Sequence, residues 1–218
     1  SGGSDSLALA LAMSFVGPKL GIESQVVVVD HDLQEGSAEI ALTAAASCKE
    51  MGLADSKVVK VAVKQNGDGL EAAARTARYE VLEKARQSIA AKAILLAHTK
   101  DDQAESVMLG LVRGSGLASI AGMAAWDPER FLLRPFLGLA KTELRSALSA
   151  NEISYWEDPH NQDPKFKRVA VRQALTQLEE SLGPGIVQAL SQTADIAREA
   201  QYFISLQAAS LLEQIRVS

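Results

Sequence analysis

A chain of 218 residues, 47% of them apolar and 22% charged, is long enough for one α/β core of ordinary size with a small appendage, and too apolar to stay disordered. The formal net charge of −5 argues against indiscriminate nucleic-acid binding over the whole surface; no apolar run approaches the ~20 residues that span a bilayer, and no secretion signal opens the chain. The one cysteine, Cys48, excludes an internal disulfide and any cysteine-rich zinc or iron–sulfur site, and it reads as a small buried hydrophobe in a cytoplasmic, membrane-free protein.

The chain opens Ser1-Gly2-Gly3-Ser4-Asp5-Ser6, followed at once by the apolar segment Leu7 to Met13. Small residues let backbone N–H groups converge, and a helix starting directly behind them turns its unpaired amides and positive dipole end on the same point. Ser1, Gly2, Gly3, Ser4, Asp5 and Ser6 are therefore candidates for a phosphate cradle, with Asp5 either a Mg²⁺ ligand or a helix cap. The pattern is neither a Walker A loop nor Gly-x-Gly-x-x-Gly. A flexible Ser-Gly-Gly-Ser linker is the competing reading. The apolar helix directly after Asp5 weighs against it.

Two β-branched runs follow, Gln25 to Asp30 and Val58 to Val63, and a third apolar run, Ala93 to Ala97, ends just before His98. Between them, Ala38 to Met51 and Leu70 to Ile89 carry apolar residues three and four apart, the helical period. Strands that are apolar throughout and alternate with helices predict a doubly wound, mostly parallel α/β sheet with helices on both faces. Such sheets place their ligands beyond the carboxyl ends of the strands.

The segment His98-Thr99-Lys100-Asp101-Asp102-Gln103-Ala104-Glu105-Ser106 starts at such a strand end. Thr99 is placed to cap a helix, with Asp102 three residues on in a capping-box position. Asp101, Asp102 and Glu105 then gather on one helix face, and Mg²⁺ or an ammonium group would relieve their repulsion. The bland alternative is that the aspartates only favour the helix dipole while Glu105 is solvated.

From about Ala118 a second region begins. An edge strand is expected at Phe131 to Leu133, an amphipathic helix from Lys141 to Ala150, and a turn-rich loop from Asp158 to Pro164. Lys165, Lys167, Arg168 and Arg172 form a local basic cluster around Phe166, with Tyr155 and Trp156 just upstream. Cations beside aromatic faces suit single-stranded RNA loops, against the alternative of a solvated helix face with Phe166 in the core. After Gly183-Pro184-Gly185, Ile186, Leu190, Ala194 and Ala197 open an apolar helical pattern that continues to Ile215, which reads as a packing helix or as one that bears a missing downstream domain. The expected division is a nucleotide-binding α/β domain over 1–135 and a small helical C-terminal region over 136–218.

Ser-Gly-Gly-Ser-Asp-Ser resembles the S-G-G-x-D-S signature of the PP-loop ATP pyrophosphatases. In that family the loop follows a first strand, so the chain reads as trimmed at its start. The His98–Ser106 segment with Arg113-Gly114-Ser115-Gly116 resembles the H-x-x-D-D-Q-A-E-T…R-G-S-G stretch of the tRNA(Ile)-lysidine synthetases, with Ser106 for Thr. Further blocks match in the same order. Val29-Asp30-His31-Asp32-Leu33-Gln34 is similar to V-D-H-x-L-R, and Glu71 to Tyr79 to E-x-x-A-R-x-x-R-Y. Trp156 to Arg168 resembles W-x-E-D-x-S-N-x-D-x-x-F-x-R, one residue shorter and with His160 for Ser.

The resemblance implies a ligase. The C2 carbonyl oxygen of the wobble cytidine of tRNA(Ile), anticodon CAU, attacks the α-phosphate of ATP, and free L-lysine then displaces AMP to give lysidine. It implies ATP at Ser1 to Ser6, with Asp30 and His31 on the adenine side, and Mg²⁺ at Asp5 and Asp102. It implies the lysine ammonium at Asp101 and Glu105, and Arg75 or Arg113 for its carboxylate or the α-phosphate. His98 is a candidate for proton transfer, and Lys165, Lys167, Arg168 and Arg172 for tRNA. Asp5, Asp102, Glu105, Arg113 and His98 form the expected catalytic set, and a homodimer is among the expectations. Base thiolation by a related enzyme, which ordinarily uses paired cysteines, and a non-catalytic ATP-binding protein are the rivals.

Overall fold

The computed structural model describes residues 2–31, 36–53, 55–61, 70–114, 116–158 and 167–216. Ser1, Lys165 and Phe166, the strand end at 62–63 and the turns expected at 159–164 lie outside the described residues. The chain divides into two compact units. The first comprises Ser1–Ala97, Asp127–Leu133 and Thr142–Asp158, the second His98–Trp126, Arg134–Lys141 and Pro159–Ser218. The expected boundary at 135 falls close to one of these crossings, but the chain passes between the units more than once.

In the first unit, α1 (Ser4–Leu20) precedes β1 (Val26–Asp30), α2 (Ser37–Glu50), β2 (Ser56–Lys60), α3 (Leu70–Ser88) and β3 (Ile94–Leu95). β1 and β2 pair in parallel, from Val26 opposite Ser56 to Asp30 opposite Lys60. The strand expected at Val58 to Val63 therefore starts two residues earlier. Its start is set by the partner, because Asp55 O accepts from Val26 N–H at 2.8 Å, and ladder register outweighs side-chain preference. Ala41, Ala44 and Ala45 of α2 bury against Val28, which is 2% exposed. Alanine lets the helix approach the β-branched strand closely while burying little polar surface.

Two-residue strands complete the sheets: β4 (Trp126–Asp127) and β5 (Leu132–Leu133), with β5 parallel to β3. The segment at Phe131 to Leu133 was expected at an edge, yet β5 lies between β3 and β4 in the strand order. The correction has a simple cause. Leu132 is 1% exposed, as an interior strand requires. α6 (Lys141–Ala150) buries Leu144 and Leu148. The α/β class with parallel pairing and a helical C-terminal region is as expected. Among the described residues no helix is long and apolar enough to cross a membrane.

The second unit is helical: α4 (Lys100–Val112), α5 (Leu117–Ile120), α7 (Lys167–Leu182) and α8 (Ile186–Arg216). α4 packs on α5, α7 and α8, with Ala104, Val107 and Ala194 fully buried. Small residues set the spacing. A Cβ on Gly110 of α4 would lie 2.5 Å from the carbonyl oxygen of Ser119 in α5, so the two helices touch backbone to backbone. Gln103, 1% exposed, ties α4 to the segment after α5, donating to Met123 O at 2.9 Å and accepting from Met123 N–H at 2.8 Å. Of the two readings of α8, packing holds for its first half, where Ala194 and Ala197 are buried. Phe203, Leu211 and Ile215 are exposed, because apolar periodicity marks a face and does not supply a partner for it.

Gly110→Ala is expected to lower the unfolding free energy by about 1–3 kcal/mol, the ordinary cost of overpacking. The yielding atom would be a main-chain carbonyl rather than a flexible side chain. A denaturant melt of the variant beside the parent chain measures it, and an unchanged midpoint would show that α4 and α5 separate freely.

Candidate functional site

In the first unit the Gly2–Ser6 segment is shaped by glycine. Gly2 has φ +77°, and a Cβ there would sit 3.3 Å from the Cβ of Ala44 in α2, so a larger residue meets both strain and a neighbour. Gly3 is the N-cap of α1, in extended conformation and with no side-chain cap. A helix start without a side-chain cap is a candidate donor site for an anion. Ser6 Oγ donates to Gly3 O at 2.9 Å, Ser4 Oγ donates to Asp5 Oδ1 at 2.9 Å, and the Trp156 N–H holds Gly2 O at 3.0 Å. Gly2, Gly3, Ser4, Asp5 and Ser6 therefore stand together around one helix start. Ser1 lies outside the described residues.

Asp30 ends β1 and is 4% exposed. Its neighbour His31 accepts at Nε2 from Arg78 Nε, 3.3 Å away. Burial, and then the Arg78 charge, push the His31 imidazole below its ordinary range, so it is a neutral acceptor at pH 7. Arg75 stands over the Tyr79 ring, 5.5 Å from its centroid, with Nη2 3.4 Å from the hydroxyl.

The second unit carries the acidic cluster. Thr99 caps α4 in a full capping box: Asp102 Oδ2 accepts from Thr99 N–H at 2.8 Å and from Thr99 Oγ1 at 3.0 Å, while Thr99 Oγ1 accepts from Asp102 N–H. Asp101 Oδ2 accepts from the main-chain N–H of Lys141 at 2.8 Å. Glu105 is not solvated. It is 1% exposed, and Arg172 Nε donates to its Oε1 at 2.7 Å. Its Oε2 lies 3.7 Å from Arg168 Nη1 and accepts no hydrogen bond among the described residues. Burial pushes the Glu105 carboxyl above its ordinary range, and the Arg172 guanidinium pulls the other way.

A cavity of about 120 Å³ opens among these groups, walled by Asp101, Asp102, Glu105, Lys141, Arg172 and Glu179. Glu179 is fixed there because it accepts from the N–H groups of Gly185 and Val187, at 2.8 and 2.9 Å, at the start of α8. Those bonds hold its carboxyl below the usual range. Four carboxylates and two cations make a cavity complementary to a small molecule of mixed and mainly positive charge. His98, partly buried, precedes Thr99, and Arg113 is exposed at the end of α4. Lys167 is exposed at the start of α7, whereas Arg168 and Arg172 turn to Glu105. Lys165 lies outside the described residues. Among them, no three His, Cys, Asp or Glu side chains gather as a metal-binding group.

Four contributors escape sequence reasoning: Arg78 as partner of His31, the Trp156 amide, Lys141 and Glu179. Arg78 stood in a matching block without an assigned role. The Trp156 contact is main-chain and leaves no trace in residue type. Lys141 and Glu179 read as ordinary helix-surface charges.

Residues 1–179 match the family of PP-loop domains. The tRNA(Ile)-lysidine synthase of Leifsonia xyli subsp. xyli is 50% identical over 200 residues, 91% of this chain and 59% of that protein. That of Salinispora tropica is 44% identical over 219 residues, 99% of this chain and 66% of that one. That of Thermobifida fusca is 50% identical over 91% of this chain and 61% of its own length. The chain thus spans between 59% and 66% of the length of these relatives. Among solved structures, the U34-tRNA thiolase NcsA from Methanococcus maripaludis superposes with a TM-score of 0.71 over 91% of this chain and 70% of that one. At 18% identity the likeness is one of fold.

Arg172→Ala removes the hydrogen bond to a buried carboxylate and is expected to cost about 3 kcal/mol, the low end for breaking such a pair because Arg172 is itself partly exposed. Adding Glu105→Gln to that variant is expected to recover part of the loss. A melt of the single and double variants reads both effects, and equal losses would remove the ion pair from the account.

Proposed function

We propose, from its membership of the PP-loop domain family and its likeness to tRNA(Ile)-lysidine synthases, that the chain activates a tRNA base with ATP and joins free lysine to it. The observation that carries the amine half of this reading is the Glu105 carboxylate. It is buried, lies in a cavity with three further carboxylates, and has one oxygen that accepts no hydrogen bond among the described residues. An ammonium group satisfies such an oxygen and relieves the crowding of like charge. The first unit supports the other half, since a glycine-shaped helix start without a side-chain cap suits the phosphates of ATP.

The proposed course has two displacements. The C2 carbonyl oxygen of the wobble cytidine, in tRNA(Ile) with a CAU anticodon, attacks the α-phosphorus of ATP and pyrophosphate leaves. An amine of lysine then attacks C2, and AMP leaves with the former carbonyl oxygen while the amine sheds its proton. A carbonyl oxygen is a poor leaving group and a phosphate ester is a good one. The protein's part is to hold the reactants and stabilise the developing charge.

In this reading Gly2, Gly3, Ser4 and Ser6 hold the phosphates through main-chain and hydroxyl donors, and Asp30 and His31 border the adenine. Asp101 and Glu105 receive ammonium, with Arg172 opposing the effect of burial on the Glu105 carboxyl. Arg75 and Arg113 are assigned to anionic groups of the reactants, Lys167 to tRNA phosphates, and Arg168 and Arg172 to tRNA in addition to Glu105. His98 is assigned to proton transfer beside the cavity walls. Mg²⁺ fits the donor set, because that ion is usually held by one or two carboxylates together with substrate phosphates rather than by a protein cage. Asp5 is the carboxylate proposed for it in the first unit and Asp102 in the second. When bound, it would neutralise charge on the phosphates. A cytoplasmic setting, where all three substrates meet, goes with the reading.

Sulfur transfer fits less well. Cys48 is this chain's one cysteine; it is 3% exposed in α2, and burial pushes its thiol up, away from nucleophilic use. A protein that only senses ATP would have no use for the amine cavity.

Steady-state release of AMP and pyrophosphate should require tRNA and lysine together, because without lysine the adenylated base does not turn over. Release with ATP alone, or with tRNA but no lysine at the same rate, would contradict the ligase reading. Asp102→Asn keeps an acceptor for the Thr99 N–H while removing the charge, and is expected to slow that release at least about a hundredfold with little change in melting temperature. Undiminished turnover in this variant would discard the metal role.

A further inference from the structure

In the first unit, α6 buries Leu144 and Leu148 and leaves Arg145, Ser146 and Ser149 exposed. The chain turns back beside that outer face. The N–H groups of Asn151 and Ile153 donate to Leu148 O and that of Glu152 to Ser149 O, and Glu152 takes a left-handed φ of +57°. A groove of about 520 Å³ lies between helix and returning chain, with Arg145, Ser149, Glu152, Ser154 and Tyr155 in its lining. The proposed reaction course makes no use of it.

Arg145 stands beside Tyr155, its guanidinium carbon 5.7 Å from the ring centroid. An aromatic ring next to a guanidinium suits an unpaired RNA nucleotide, whose base stacks on the ring while its phosphate meets the cation. The guanidinium is open to exchange. Arg145 Nη2 lies 3.0 Å from Glu157 Oε1, but the two side chains are 45% and 62% exposed, and so exposed a pair is worth at most about 1 kcal/mol. A phosphate can therefore compete with Glu157. Glu152 disfavours a second phosphate and accepts from a ribose 2′-hydroxyl, a group that RNA has and DNA lacks. Tyr155 also adjoins Trp156, whose N–H holds Gly2 O at 3.0 Å, so this wall of the groove continues into the segment that braces the proposed ATP loop. We infer that the groove binds one unpaired nucleotide of the tRNA other than the reacting base, with its base on Tyr155, its phosphate on Arg145 and its ribose hydroxyl on Glu152. The inference rests on the proposed reading of tRNA as the substrate.

The test measures the affinity of the full chain for tRNA over a range of salt, with ATP affinity and melting temperature beside it. Tyr155→Leu is expected to weaken tRNA binding about tenfold, the ordinary loss of one stacked base, and Tyr155→Phe to bind as the parent chain does. Arg145→Met is expected to weaken binding and to lower the slope of log affinity against log salt by about one, the signature of one lost phosphate contact. Arg145→Lys is expected to keep the slope, which a merely structural role would not require. ATP affinity and melting temperature stay unchanged throughout. If either Tyr155→Leu or Arg145→Met binds tRNA as the parent does, the inference is overturned while the function stands. A loss matched by an equal loss of ATP affinity overturns it as well. If the parent chain binds no tRNA, the functional reading fails and the inference fails with it.

Discussion

Burying the Glu105 carboxylate is the constraint on which the second unit depends. A carboxylate 1% exposed loses its hydration, and that loss is tolerable only if positive groups and hydrogen-bond donors surround it. Arg172 and Arg168 provide the charge, and both come from α7. The pair therefore fixes where the start of α7 lies along α4, and with it the wall that α7 gives to the cavity. Ala104 and Val107 of α4, fully buried on either side of Glu105, hold the helix so that the acid stays inside. The same arrangement leaves Oε2 without a hydrogen bond among the described residues, which is the chemical reason to assign an ammonium ligand to the cavity.

The first unit answers a different demand. In the proposed reading, phosphates call for several donors converging on one point, and the Gly2–Ser6 segment would provide them with main-chain amides rather than lysines. Gly2 can adopt its left-handed conformation beside Ala44 only because neither residue is large, and Gly3 leaves the start of α1 without a competing side-chain acceptor. The Trp156 amide holds Gly2 O from a distant part of the sequence, so the loop is braced on both sides. A braced loop spends little of its binding energy on ordering itself, the general advantage of a preorganised site.

Local features were legible in the sequence and distant ones were not. The capping box of Thr99 and Asp102 could be read because it spans three residues and follows from helix geometry. The strand runs and the alanine-rich α2 could be read because composition and period report them directly. The partner of Glu105 could not, since 67 positions separate it from Arg172, and the two arginines read equally well as an RNA-facing cluster. The Lys141 contact with Asp101, 40 positions apart, and the hold of Glu179 on the start of α8 are hidden for the same reason. The start of β2 was misplaced because pairing with β1 sets it, and two readings of α8 stayed open because a helical stripe of Phe203, Leu211 and Ile215 says nothing about what covers it.

The central claim is that the base is activated through its own carbonyl oxygen, which departs with AMP. The direct measurement is to label the C2 oxygen of the wobble cytidine with heavy oxygen, run the reaction with ATP and lysine, and weigh both products by mass spectrometry. The account predicts the label in the phosphate of AMP and a cytidine that has gained lysine and lost the label. Label retained in the RNA after lysine has been added, with unlabelled AMP, would contradict it.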